Sequence, residues 1–219
     1  MKAKDGLELS EELQRGIAAY GVPEHELTFL QRRAIARLAE GKDVVVHAGG
    51  GRGKTIAMVV GILQRIAAQG KDSVQVLLVL PTRELAQGTD HIVRSLGAHM
   101  DIRTQLIVGG VQQARNYKQM LRELASVQVV VSTPGRMLDA IIRGGMDPEQ
   151  VRMLVLDEAD ETMSRGFEEV VDDMIKVLPR DIQIAMFTCT MHPECTRVAQ
   201  EYMSQHVSAD EKKPKADTR

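Results

Sequence analysis

Six short runs of apolar, largely β-branched residues recur along this chain: DVVVH at 43–47, VQVLLVL at 74–80, TQLIV at 104–108, VQVVVS at 127–132, RMLVL at 152–156 and IQIAMF at 182–187. Most are nearly continuous in apolar character, the pattern of strands covered on both faces. Between them lie segments with helical spacing, among them TIAMVVGILQRIAAQ and RELAQGTDHIVRSLG. Strands of this kind separated by helices specify one doubly wound α/β domain, a mostly parallel sheet with helices on both faces. In a parallel sheet the strand ends open on a single edge, where open α/β folds bind their ligands.

Polar clusters stand at all six of those ends. AGGGRGKT follows the first strand, PTREL the second, Gly109 and Gly110 the third, TPGR the fourth, DEAD the fifth and TCT the sixth. The first is the most specific. Backbone N–H groups can surround a phosphate only where side chains leave room, and Gly49, Gly50, Gly51 and Gly53 leave it. Lys54 can then reach the outer phosphates and Thr55 can offer its hydroxyl to Mg²⁺, while the helix that starts here turns its positive end to the nucleotide. The pattern is the AxxGxGKT variant of a P-loop, with Ala48 at the usual first glycine and Arg52 within the loop. A flexible strand-to-helix turn is the plainer alternative, and the GKT at the junction disfavours it. Arg52 either adds charge at the phosphates or faces solvent, and solvent is the preferred placement.

Asp157 and Glu158 follow the fifth apolar run and can divide the labour, Asp157 holding the Mg²⁺ shell and Glu158 orienting or deprotonating a water. In TPGR, Thr133 can cap a helix that begins at Pro134, with Gly135 small and Arg136 in the first turn. PTRE repeats this with Thr82 and Arg83. A cation beside a helix N-terminus is unfavourable without an anion, so the pair suggests two sites for successive nucleic-acid phosphates, with Gly109 and Gly110 allowing close approach. Salt bridges on a helix surface are the alternative for either arginine alone.

Composition bounds the rest. The chain has 219 residues, is 43% hydrophobic and has no apolar run long enough to span a bilayer, so a soluble protein of the cytoplasm, with the nucleus open, is expected. A net charge of −2 leaves any nucleic-acid contact to locally placed arginines and helix ends. Cys189, His192 and Cys195 have ligand-like spacing but lack a fourth partner for a closed zinc site, so two ordinary thiols in a reducing compartment are expected. Ahead of the first strand, LSEELQRGIAAYG and LTFLQRRAIARLAEG read as amphipathic helices, Ser10 capping the first and a glycine ending each.

Taken together, PTRELAQ, STPGR and DEADETMSRGFEEV, with the P-loop, resemble the N-terminal RecA-like domain of DEAD-box RNA helicases, and within them the subfamily of cap-dependent translation initiation. The resemblance covers roughly residues 9–205. It implies helices with a glutamine motif over 1–40, a RecA-like ATP-binding domain over 41–205 and a charged tail or linker start over 206–219. It also implies ATP and Mg²⁺ as ligands, Lys54, Asp157 and Glu158 as catalytic residues, and Thr55 and Asp157 at the metal. Residues 49–55 and Gln31 would bind the nucleotide, and Gln31 would recognise adenine. Arg83, Gly109, Gly110, Thr133, Pro134, Gly135 and Arg136 would face the backbone of single-stranded or structured RNA. Asp160, Thr188 and Thr190 would couple the two sites.

Departures from the family pattern accompany the likeness. The Gly-Phe pair and proline expected ahead of the glutamine are Gly21–Val22 and Leu27, leaving Phe29 and Tyr20 as candidate base-stacking residues. The SAT segment is TCT, where Cys189 adds volume in place of alanine and is expected to strain the packing. Nothing after residue 205 of this sequence resembles the family's second RecA-like domain, so the partners implied are that domain or a helicase cofactor protein. Slow hydrolysis and no unwinding are expected of the chain alone.

Overall fold

The computed structural model describes residues 8–22, 26–69, 73–109, 117–124, 126–203 and 207–208. Two helices come first. Ser10 caps α1 (Glu11–Tyr20) by accepting the Leu13 N–H, and Gly21, at φ 86°, ends it. Thr28 begins α2 (Phe29–Ala39) through a reciprocal box: its hydroxyl accepts the Gln31 N–H and Gln31 Oε1 accepts the Thr28 N–H. Gly41, at φ 75°, closes α2 with bonds from Gly41 and Lys42 N–H back to Leu38 and Arg37.

The strands follow the expected runs: β1 (Val44–His47), β2 (Val76–Val79), β3 (Thr104–Ile107), β4 (Val129–Ser132), β5 (Met153–Leu156) and β6 (Gln183–Thr188). Alternating with them are α3 (Lys54–Gln69), α4 (Arg83–Leu96), α5 (Tyr117–Leu124), α6 (Pro134–Ile142), α7 (Ala159–Ser164), α8 (Glu168–Val177) and α9 (Pro193–Tyr202). A two-residue strand, β7 (Val207–Ser208), pairs with β1. It lies in the stretch assigned by sequence to a tail, so the sheet runs past residue 205. Residues 206 and 209–219 of that tail lie outside the described residues.

Among the described residues the strands form one sheet in the order β3-β4-β2-β5-β6-β1-β7, every pairing parallel. Side chains alternate between its two faces. Val44, Val46, Leu78, Val131, Val155 and Phe187 meet Leu13, Ile35, Ile62 and Val93 on one side. Val45, Leu77, Val79, Val130, Leu154 and Met186 meet Met137, Ile141, Met174 and Val198 on the other. The N-terminal helices are part of the first layer: α2 lies on α3 and α1 on α4.

The α1–α4 crossing depends on a missing side chain. A Cβ on Gly16 would collide with the Leu96 carbonyl, which belongs to backbone and cannot swing aside. Gly88, in the middle of α4, has nothing within 4 Å of the same position. Gly16→Ala is therefore expected to destabilise the fold by about 2 kcal/mol or more, and Gly88→Ala to stabilise it by about 0.5–1 kcal/mol. Urea unfolding of both variants beside the parent checks the pair; equal midpoints would contradict the close crossing.

Candidate functional site

The loop from β1 to α3 is shaped for a phosphate. Gly51 and Gly53 hold φ 71° and 70°, a region costly to other residues. A Cβ at Gly49, Gly50 or Gly51 would meet nothing within 4 Å, so the loop faces open space, and one at Gly53 would run into Gln31 Nε2. Residues 51–56 and Glu158 line a cavity of about 340 Å³. The first turn of α3 adds N–H groups with no partner inside the helix. Glycine backbone, helix N-terminus and an adjacent ammonium together fit a polyphosphate.

Lys54 is 6% exposed, and its ammonium donates to Ala48 O at 2.7 Å, Gly49 O at 3.2 Å and Cys189 Sγ at 3.0 Å. To meet phosphates it must exchange these partners. Gln31 is equally committed. Its Oε1 accepts the Thr28 N–H at 2.7 Å and its Nε2 donates to Gly53 O at 3.2 Å, tying the start of α2 to the P-loop. Phe29 and Tyr20 are partly exposed, and Arg52 is exposed at the cavity wall.

Thr55 Oγ1 donates to Asp157 Oδ2 at 3.3 Å, which joins the P-loop to the end of β5. Those two oxygens are the protein donors suited to Mg²⁺, a cation that keeps waters and takes phosphate oxygens for its remaining positions. Among the described residues no group of three or more His, Cys, Asp or Glu is placed to hold a metal unaided. Burial pushes the Asp157 carboxyl up to about 6, and the Glu158 charge adds to this; the Glu158 N–H, Thr55 and Lys54 pull the other way. Glu158 sits at φ 47°, a left-handed conformation costing a non-glycine residue roughly 1–2 kcal/mol.

Asp160 ties this acidic turn to the end of β6. Its carboxylate accepts the Thr190 N–H at 2.8 Å, the Thr190 hydroxyl at 2.6 Å and the Cys189 N–H at 3.4 Å. Burial would raise its pKa, but bonds from Thr190, Thr188 and these N–H groups outweigh it and hold the carboxyl below its ordinary value. The Thr188 hydroxyl, grouped with Thr190 and Asp160 by the resemblance, donates to Thr190 O at 2.6 Å, and the Thr190 hydroxyl is the principal partner of Asp160. Cys189 is a free thiol, as expected. Half-buried, it donates to Glu158 Oε2 at 3.4 Å while accepting from Lys54, so its added volume occupies the space between two site residues. His47 Nε2 lies 3.1 Å from the Cys189 carbonyl, a contact no motif announced.

The other half of the edge collects the ends of β3, β4 and β2. Arg83 is exposed in the first turn of α4, and its Nη2 would lie 3.0 Å from a Cβ on Gly109. Thr82 caps that helix, accepting the Leu85 N–H at 3.3 Å. Thr133 occupies the cap position of α6, with Pro134 next, but its side chain makes no cap bond. Arg136 is half-buried and pairs with Asp139 at 3.5 Å, so the salt-bridge alternative is the one observed there. Gly135 is exposed beside it. Gly110 lies outside the described residues.

Because its folded-state value stands above the ordinary 3.8, Asp157 favours the fold when protonated, and that contribution is lost as pH rises through about 6. Asp157→Asn, with divalent cations chelated, is expected to raise stability by on the order of 2 kcal/mol at pH 8 and to bring no gain near pH 4. Thermal melts at both pH values check it, and a pH-independent effect would contradict the burial argument.

Known proteins resemble this chain over most of its length. Eukaryotic initiation factor 4A of Zea mays is 39% identical over 204 residues, which make up 93% of this chain and 48% of that protein. Eukaryotic initiation factor 4A-9 of Nicotiana tabacum is 38% identical with the same coverage. The chain thus spans about half the length of these relatives. The crystal structure of a DEAD box protein from the hyperthermophile Methanococcus jannaschii superposes with a TM-score of 0.85 at 28% identity, covering 95% of this chain and 56% of that one. Residues 28–198 match the family model for the DEAD/DEAH box helicase, and the chain belongs to that family, its fold being that of the N-terminal RecA-like domain.

Proposed function

We propose that this chain is the ATP- and RNA-binding half of an ATP-dependent RNA helicase working in the cytoplasm. The observation that carries the reading is the Thr55–Asp157 bond, which sets P-loop and acidic motif around one glycine-walled cavity. Lys54 would take the outer phosphates, residues 49–53 would wrap them with N–H groups, and Glu158, held in its left-handed turn, would orient the attacking water. Mg²⁺, held by Thr55 and Asp157, would neutralise charge on the phosphates. Adenine recognition would ask Gln31 to give up part of its bonding to Thr28 and Gly53.

Arg83, beside Gly109, is the best-placed cation for an RNA phosphate, while Arg136 would have to leave Asp139. Thr133, Pro134 and Gly135 would supply backbone approach, and Asp160 with Thr188 and Thr190 would pass the nucleotide's state along the edge. Contacts of this kind read phosphate and sugar, so RNA would be held without regard to base sequence. A second RecA-like domain would complete both sites. Without its arginines hydrolysis falls by about a thousandfold or more in related P-loop systems, so the chain alone would turn over slowly and not unwind duplexes. One observation favours a second reading, a weakened binding module: Cys189 engages both Lys54 and Glu158.

Calorimetric titration of the chain with MgATP is expected to show binding that Lys54→Ala weakens at least about tenfold, the loss of one charge-assisted contact. No binding by the parent would overturn the reading. RNA-stimulated hydrolysis of the parent and Glu158→Gln separates the alternatives, since a pure binding module is indifferent to that change.

A further inference from the structure

Cys189 stands between the two groups on which the proposed chemistry turns. Lys54 Nζ donates to its sulfur at 3.0 Å, and the thiol donates to Glu158 Oε2 at 3.4 Å. The backbone of the same residue is held on both sides, its N–H by Asp160 Oδ1 at 3.4 Å and its carbonyl opposite His47 Nε2 at 3.1 Å. The sulfur is therefore delivered to this position by fixed backbone. Alanine, the residue that the family resemblance leads one to expect here, carries neither a donor nor an acceptor and leaves Lys54 and Glu158 unbridged.

We propose that Cys189 is a positioning residue of the nucleotide site: its thiol bridges Lys54 and Glu158, and nucleotide binding must break the Lys54 arm of that bridge. Lys54 already spends bonds on Ala48 O and Gly49 O, and the sulfur is its third partner. Recruiting the ammonium to phosphates forfeits that contact, so the bridge opposes binding. Glu158 is meanwhile kept facing the P-loop across the cavity it lines. Burial, with the Glu158 charge, pushes the Cys189 thiol up against the pull of Lys54, so the sulfur keeps the proton that it donates to Glu158. The inference rests on the MgATP reading above.

Two measurements on the purified chain test it. The first follows alkylation of Cys189 by iodoacetamide against pH, by peptide mass, in the parent, Lys54→Ala and Glu158→Gln; buried Cys195 is the internal reference. The charged or titratable groups around Cys189 are Lys54, Glu158, Asp160 and His47, and only the first two are varied. The midpoint is expected to rise in Lys54→Ala and fall in Glu158→Gln; unchanged midpoints in both overturn the bridge. The second titrates MgATP into the parent, Cys189→Ala and Cys189→Ser. Cys189→Ala is expected to bind about three- to tenfold more tightly, the range for one neutral hydrogen bond, and Cys189→Ser, which keeps donor and acceptor, to stay near the parent. Equal affinity in all three overturns the positioning role and leaves the nucleotide reading standing. No MgATP binding by any of the three overturns the nucleotide reading, and the role assigned to Cys189 falls with it.

Discussion

The parallel ladder of β5, β6 and β1 sets the heights at which the site residues stand. Leu156 lies opposite Met186, which lies opposite Val45, and β6 and β1 continue together to Thr188 and His47. The acidic turn thus leaves the sheet two residues below the point where TCT and the P-loop depart. Asp160, one short helical turn further on, reaches up to the Thr190 N–H and hydroxyl. Three motifs more than a hundred residues apart in part of their span meet because β6 sits between β5 and β1. On the other side of β5, the order β3-β4-β2 sets Gly109, TPGR and PTRE side by side. The edge is consequently two contiguous halves, one around the P-loop and one around two helix starts.

The P-loop half is assembled against its own stability. Asp157 is buried with its charge disfavoured, Glu158 adopts a strained backbone, and Lys54 is taken nearly out of water. Each feature costs free energy, which the two apolar layers on either side of a fully covered sheet offset. Some of the bonds that relieve these groups stay within their motif, Lys54 to Ala48 O and Gly49 O, and others run between motifs: Thr55 to Asp157, Lys54 to Cys189, Cys189 to Glu158. On the proposed reading, a ligand that supplies phosphate oxygens and a divalent cation would compete for those same atoms, and its arrival would be felt at Asp160 and the end of β6.

Strand positions were legible because runs such as VVVH and VVVS are apolar on both faces, and in this sheet both faces are covered. Helix starts were legible at Ser10, Thr82 and Thr133, each at its cap position, although the Thr133 hydroxyl makes no cap bond. The two-residue β7 escaped because so short a run, beside a charged stretch, has no period to read. Gln31 illustrates a different limit: its motif named a residue, but its bonds to Thr28 and Gly53 depend on how α2 meets the P-loop.

Local patterns alone thus determined the α/β class, the positions of six strands and which residues stand at their ends, since hydrophobic periodicity and glycine placement act over a few residues. Tertiary structure decided the partners: that Thr190 and not Thr188 is the main hydroxyl at Asp160, that Arg83 lies against Gly109, and that Cys189 faces Lys54 and Glu158. Hydrogen bonds and ion pairs act over about 3–4 Å, and only the order and register of the strands bring residues distant in the chain within that reach.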